Sequence, residues 1–130
     1  MAPDPVELGF LTGPMPPGTQ SRRHFPVTEA MLTHHIPGRG GVLTTPNLVA
    51  ILEETAADIV RPLLADGAAA VGTWVGVHHT GTAGLDETVE VAATLRTVDG
   101  RLLGFDVAAV VGERRVGHGD IGFTLVRTAH

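Results

Sequence analysis

The sequence predicts an α+β fold, a long central helix wrapped by an antiparallel β-sheet, and three observations lead there. Only one stretch, from Thr45 to about Ala65, carries apolar residues at helical spacing together with start and stop signals. From Val71 onward the apolar residues alternate at period two through four successive stretches. Between the second and third of these stands Asp99-Gly100, a two-residue hairpin signal, so the strands follow one another as a meander.

Residues 1–20 contain Pro3, Pro5, Pro14, Pro16 and Pro17 and are expected to form an extended, Pro/Gly-rich arm ahead of one domain covering residues 21–130. Ser21 to Val27 and Ala30 to Ile36 can each form a short extended segment, and Pro37, Gly38, Gly40 and Gly41 then make a loop. Thr45 is a suitable N-cap and Pro46 suits the first helical position, where its missing N–H would be unpaired anyway. On a helical wheel Leu48, Val49, Leu52, Ala56, Ile59, Val60 and Leu63 share one broad face, with Ala50, Glu54, Ala57 and Arg61 opposite. Pro62 should distort the last turn, and Gly67 ends the segment.

In the first period-two stretch, Val71, Thr73, Val75, Val77 and His79 form the set expected to face the core. The second, Thr88 to Val98, turns Val89, Val91, Ala93 and Leu95 inward. A third, Arg101 to Val111, does the same with Leu103, Phe105, Val107, Ala109 and Val111. After a turn at Gly112 to Arg114, a fourth from about Arg115 to Arg127 adds Ile121, Phe123 and Leu125.

The 130 residues can build one core, and 43% apolar against 18% charged residues is the balance of a folded globule. With no lysine, nine scattered arginines and a formal charge of −5, the chain has no basic stripe to follow a phosphate backbone, so nucleic acid is not an expected partner. The absence of cysteine excludes a disulfide framework, a thiolate metal site and a thiol nucleophile. The first twenty residues fit neither a signal peptide nor a membrane span, and a cytoplasmic location without membrane association is expected.

Two adjacent glutamates on the helix are separated by the wheel. Glu54 falls on the polar side with Arg61, whereas Glu53 lies at the edge of the apolar face near Val60 and Leu64. Partial desolvation there suits a carboxylate to act as a general base or nucleophile near neutral pH; the alternative is a solvated glutamate on a helix flank. The strand likewise divides its histidines, because His78 shares a side with Trp74 while His79 continues the valine series. His79 is thus a candidate acid–base residue or, alternatively, a hydrogen-bonded core histidine. Thr45 would present its hydroxyl where free N–H groups favour a developing oxyanion, or simply cap the helix. Gly72 would let a substrate carbonyl approach the backbone, or mark a bulge.

No metal is expected: His34-His35 and His78-His79 are adjacent pairs whose side chains diverge in a strand, and no H-E-x-x-H helix occurs. Gly117-His118-Gly119-Asp120 lacks the strand-to-helix context of a phosphate loop.

Leu52-Glu53, the run Val71-Gly72-Thr73 through Val77-His78-His79-Thr80, and Leu95-Arg96-Thr97-Val98-Asp99-Gly100-Arg101 together resemble the fluoroacetyl-CoA thioesterase group of hot-dog proteins, over roughly residues 20 to 127. The resemblance implies a hot-dog fold and hydrolysis of an acyl-CoA or acyl-carrier thioester. It implies Thr45, Glu53 and His79 as the catalytic set, Gly72 in the acyl site, and no cofactor beyond the CoA of the substrate. It also implies a homodimer made by pairing two sheets, with sites between subunits and further assembly to a tetramer left open. Two positions depart from the family: the loop Pro37-Gly38-Arg39-Gly40-Gly41 replaces a bulky aromatic lid residue, and Phe123 stands where the family has an arginine. Two other readings stay open, a hot-dog hydratase or dehydratase and a non-catalytic acyl-thioester or small-molecule binding module. The first normally places a histidine near the central helix, and this helix contains none.

Overall fold

Thr44 and Pro62 set the limits of the long helix, α1, which spans Thr45–Val60 in the computed structural model, where residues 3–33 and 41–128 are described. Thr44 has extended backbone and its hydroxyl accepts from the Asn47 N–H at 3.2 Å, so the N-cap is Thr44 and not the expected Thr45. Thr45 takes the first helical position, and Pro46 follows within the first turn, where an N–H has no intrahelical partner. At the other end α1 stops at Val60 instead of continuing to Ala65. Pro62 has no N–H to give and its ring crowds the preceding turn, so the chain tightens into a 3₁₀ turn over Arg61–Leu63.

The strands are β1 Gln20–Pro26, β2 Leu32–Thr33, β3 Val42–Leu43, β4 Ala68–His79, β5 Thr88–Asp99, β6 Leu102–Val111 and β7 Arg114–Arg127. Five form one antiparallel sheet in the order β1-β5-β6-β7-β4, and β2 and β3 pair as a separate short ribbon. The extended segment expected over Ala30 to Ile36 is shorter. Ala30 and Met31 belong to a 3₁₀ turn, only Leu32–Thr33 is extended, and residues 34–36, like Pro37 to Gly40 of the loop, lie outside the described residues. The hairpin between β5 and β6 also moves by one residue. Asp99 pairs with Leu102, leaving Gly100-Arg101 as the loop, because the left-handed φ of +60° falls on Gly100 as the first loop residue.

Inward alternation on β5, β6 and β7 matches expectation for Val89, Val91, Ala93, Leu95, Leu103, Phe105, Val107, Ala109, Ile121, Phe123 and Leu125, all buried, while Val111, beyond a register shift at Ala109/Val110, is only partly covered. They meet Leu48, Leu52, Ala56, Ile59 and Val60 of α1. The buried face of the helix is wider than the wheel suggests, since Ile51, Thr55 and Ala57 are covered too. β1 and β4 flank α1 as well as the central strands, so the sheet curls around the helix. Residues before β1 close the far end: Phe10, Leu11 and Met15 are buried, the Ala65 N–H donates to the Phe10 carbonyl, and the Arg127 guanidinium lies 4.6 Å from the Phe10 ring. No helix among the described residues is long and apolar enough to cross a membrane.

β4 departs from the sequence reading in its first half. A bulge between Gly72 and Trp74 shifts its register against β7, so Ala70 faces Leu125 and Gly72 faces Phe123, while after the bulge Val75 faces Ile121 and His79 faces Gly117. The helix-facing set is therefore Ala70, Gly72, Val75, Val77 and His79. Val71 and Thr73 belong elsewhere, and the Thr73 hydroxyl bonds that of Thr124 at 2.7 Å. Nor is the strand covered: it is a sheet edge, and Val71, Trp74 and Val75 are 46%, 60% and 47% exposed.

Glu87, at the mouth of β5, is the acidic group whose ionisation is visibly tied to the fold. A hydrogen bond from Arg114, with a second from the Gly84 N–H, holds its carboxyl below the ordinary glutamate value. A depressed folded-state pKa stabilises above the unfolded value near 4.5 and loses that contribution as pH falls through the lower folded value. Glu87→Gln should therefore cost stability at pH 7, by no more than about 1 kcal/mol because the pair is well exposed. Denaturant titrations should show the difference from wild type shrinking below pH 4.5.

Candidate active site

Because Thr44 performs the capping, the Thr45 hydroxyl is released for another partner. Its Oγ1 lies 2.7 Å from Nδ1 of His79, at the last position of β4. The bulge is what turns His79 to this face, and His78 accordingly points to the other, where its ring stacks against His118 with centroids 5.5 Å apart.

Two turns further along α1, Glu53 is half-buried and reaches over β4 at Gly72. A Cβ added at Gly72 would stand 2.8 Å from Glu53 Oε2 and 3.2 Å from Oε1, closer than such contacts normally come. The absent side chain is thus what seats the carboxylate, and the bulge that Gly72 alternatively marks begins at this same residue. Among the described residues neither oxygen of Glu53 has a hydrogen-bond or ion-pair partner, which leaves both for water or substrate.

Within one chain the four residues fall into two pairs. Thr45 touches His79 and Glu53 touches Gly72, but no hydrogen bond among the described residues joins the pairs. Eight residues of helix separate Thr45 from Glu53, about 12 Å of rise, and α1 runs antiparallel to β4.

From Glu53 and Gly72 a cleft of about 550 Å³ extends toward the end of the helix. Its walls are Ala57 and Leu64 on the helix side, Ala68, Ala69 and Ala70 on β4, and Phe123 on β7. Phe123 is 5% exposed and packs edge-on against Phe105, with centroids 5.6 Å apart. At the rim Arg61 donates to Glu54 at 3.0 and 3.1 Å and to Asp58 at 3.1 Å, with Arg23 3.6 and 3.5 Å from the same two carboxylates. The rim charges balance, two cations against two anions. No cluster of three or more potential metal ligands occurs among the described residues.

Sequence reasoning missed the cleft walls Ala57, Leu64, Ala68 and Ala70. The available signal was the run Ala68-Ala69-Ala70 directly before Gly72, too small to fill the space beneath the helix.

One helix wrapped by a five-stranded antiparallel sheet is the hot-dog architecture. Superposition on the crystal structure of the fluoroacetyl-CoA thioesterase FlK gives a TM-score of 0.82 at 27% identity, covering 88% of this chain and 90% of that one. A hot-dog-like protein from Thermanaerovibrio acidaminovorans superposes at 0.80 with 23% identity, over 88% and 85% of the two chains, a likeness of fold. In sequence, the fluoroacetyl-CoA thioesterase of Streptantibioticus cattleyicolor is 35% identical over 78 residues, 60% of this chain and 56% of that protein; the chain thus spans little more than half the length of this relative. The profile of the fluoroacetyl-CoA-specific thioesterase family matches residues 27–128, and the chain belongs to that family.

Proposed function

We propose that the protein hydrolyses an acyl-CoA thioester, with Glu53, His79 and Thr45 reacting in a site shared by two copies of the chain. The observation that carries this is the Glu53 carboxylate, half-buried, unpaired among the described residues and lodged over a glycine. A free carboxylate at the edge of an apolar cleft is a base or nucleophile in waiting.

Sharing between copies follows from the exposed edge. β4 offers unpaired backbone and the apolar side chains Val71 and Val75, a surface that favours pairing with a second strand. In an antiparallel pairing about a two-fold axis through Gly76, with the bulge between Gly72 and Trp74 carried by each strand, Gly72 of one copy stands opposite His79 of the partner subunit. The Glu53–Gly72 pair of each copy then meets the Thr45–His79 pair of the other. A homodimer with two composite sites is the assembly this supports.

In the proposed reaction Glu53 takes a proton from water as the water oxygen adds to the thioester carbonyl. With its own proton on Nδ1, His79 donates to Thr45 Oγ1, and the Thr45 hydroxyl hydrogen is left to donate to the developing oxyanion. The C–S bond then breaks, and the proton collected by Glu53 passes to the departing thiolate, with His79 Nε2 as a relay. Products are the free acid and CoA thiol, and no cofactor enters the balance.

The test is thiol release by the purified chain across acyl-CoA substrates of varied length. Turnover proportional to enzyme supports hydrolysis. Saturable binding without thiol release would support a binding module instead, and addition of water to an enoyl-CoA with the thioester intact would support a hydratase.

A further inference from the structure

Beyond the reaction, and resting on its assignment to Glu53, we infer that the acyl group is an uncharged straight chain of medium length that lies along the cleft from Gly72 toward Leu64. The space is the first argument. An acetyl-sized group displaces about two water volumes, roughly 60 Å³, a small part of the 550 Å³ cleft, and would leave the apolar side chains of Ala57, Leu64, Ala68 and Ala70 exposed to water. Filling such a space with methylenes is favourable.

The walls give length and shape. Ala68 and Ala70 share a face with Gly72, so three small residues in a row line a channel about 13 Å long at strand spacing. At roughly 1.3 Å of reach per extended carbon, from bonds near 1.5 Å, that admits a chain of up to about ten carbons. Phe123, opposite Gly72, presents an apolar ring beside the first carbons of the chain. Ala57 and Leu64 cover the channel from the helix side.

The rim decides against a charged tail. An acyl group ending in a carboxylate needs an available cation, and Arg61, the cation lining this cleft, is already bonded to both Glu54 and Asp58. Phe123 offers no charge of its own. A dicarboxylic acyl group would therefore enter the channel without a partner and lose its hydration.

The experiment is kcat/KM for acetyl-, butyryl-, hexanoyl-, octanoyl- and succinyl-CoA with the wild-type protein and with Ala70→Leu, which narrows the channel. The expected wild-type profile rises about fourfold per methylene, so that hexanoyl-CoA exceeds acetyl-CoA by about two orders of magnitude, with succinyl-CoA at or below acetyl-CoA. Ala70→Leu should cut the hexanoyl-to-acetyl ratio at least about tenfold. Hydrolysis of acetyl-CoA that equals or exceeds that of the longer chains would overturn this inference while leaving the hydrolase intact. If no thioester is hydrolysed, it is the base assignment that falls, and the channel is judged by calorimetric binding. Tighter binding of hexanoyl-CoA than of acetyl-CoA upholds it, and equal binding overturns it.

Discussion

Glu53→Gln is expected to lower kcat about a thousandfold while leaving the fold and the thermal midpoint close to wild type. Glutamine keeps the shape of the side chain over Gly72 but cannot accept the proton from water, and removal of a positioned general base costs two to four orders of magnitude. The stability expectation follows from the same geometry. The carboxylate has no partner among the described residues, so its replacement breaks no hydrogen bond or ion pair within the described chain. Steady-state thiol release, with circular dichroism to follow unfolding, measures both quantities. Retention of wild-type turnover would remove Glu53 from the chemistry.

Gly72→Ala is expected to reduce kcat about a hundredfold, again with little loss of stability. Its Cβ would press within 2.8 Å of Glu53 Oε2, and the carboxylate is the partner able to yield, being the far end of a flexible side chain. The chain folds, but the base is displaced by a substantial fraction of an ångström, and misplacements near 1 Å cost about a hundredfold. Alanine also restricts the unfolded chain more than glycine does, which offsets part of any strain. A drop in kcat with KM held within a fewfold distinguishes this displacement from loss of substrate binding. A variant as active as wild type would mean that the seat of Glu53 does not matter to the reaction.

Much of this arrangement was legible in the sequence for identifiable reasons. Period-two alternation in β5, β6 and β7 coincides with burial on one face, so Phe105, Ile121 and Leu125 could be placed without a structure. The wheel places Glu53 at the edge of the apolar face near Val60 and Leu64, and that face is the covered one, with Leu52, Ala56 and Val60 fully buried. The parity of β4 was legible only beyond the bulge. An inserted residue between Gly72 and Trp74 reverses the alternation, and although Gly72 can be read as a bulge marker it does not by itself fix which way the alternation runs, so Val71 and Thr73 lie on the face opposite to the one the sequence predicts while Val75, Val77 and His79 lie on the predicted one.

Capping failed for a related reason. Thr44 and Thr45 are adjacent and chemically identical, so the choice between them depends on which hydroxyl meets the Asn47 N–H, a matter of backbone geometry. The error was informative, because the residue relieved of capping is the one that meets His79. Exposure of β4 was likewise hidden, since a strand built of Val71, Val75 and Val77 reads as core whether its cover comes from its own chain or from another.

A mixing experiment tests the shared site most directly. Glu53→Gln and His79→Ala proteins, each nearly inactive alone, are combined, allowed to exchange subunits and assayed for thiol release. Every mixed dimer then carries one site with both groups intact, so a statistical mixture should recover about a quarter of wild-type activity. If Glu53 and His79 served the same site from the same chain, no mixed dimer would contain an intact site. A mixture that exchanges subunits yet stays as inactive as its components would contradict the account.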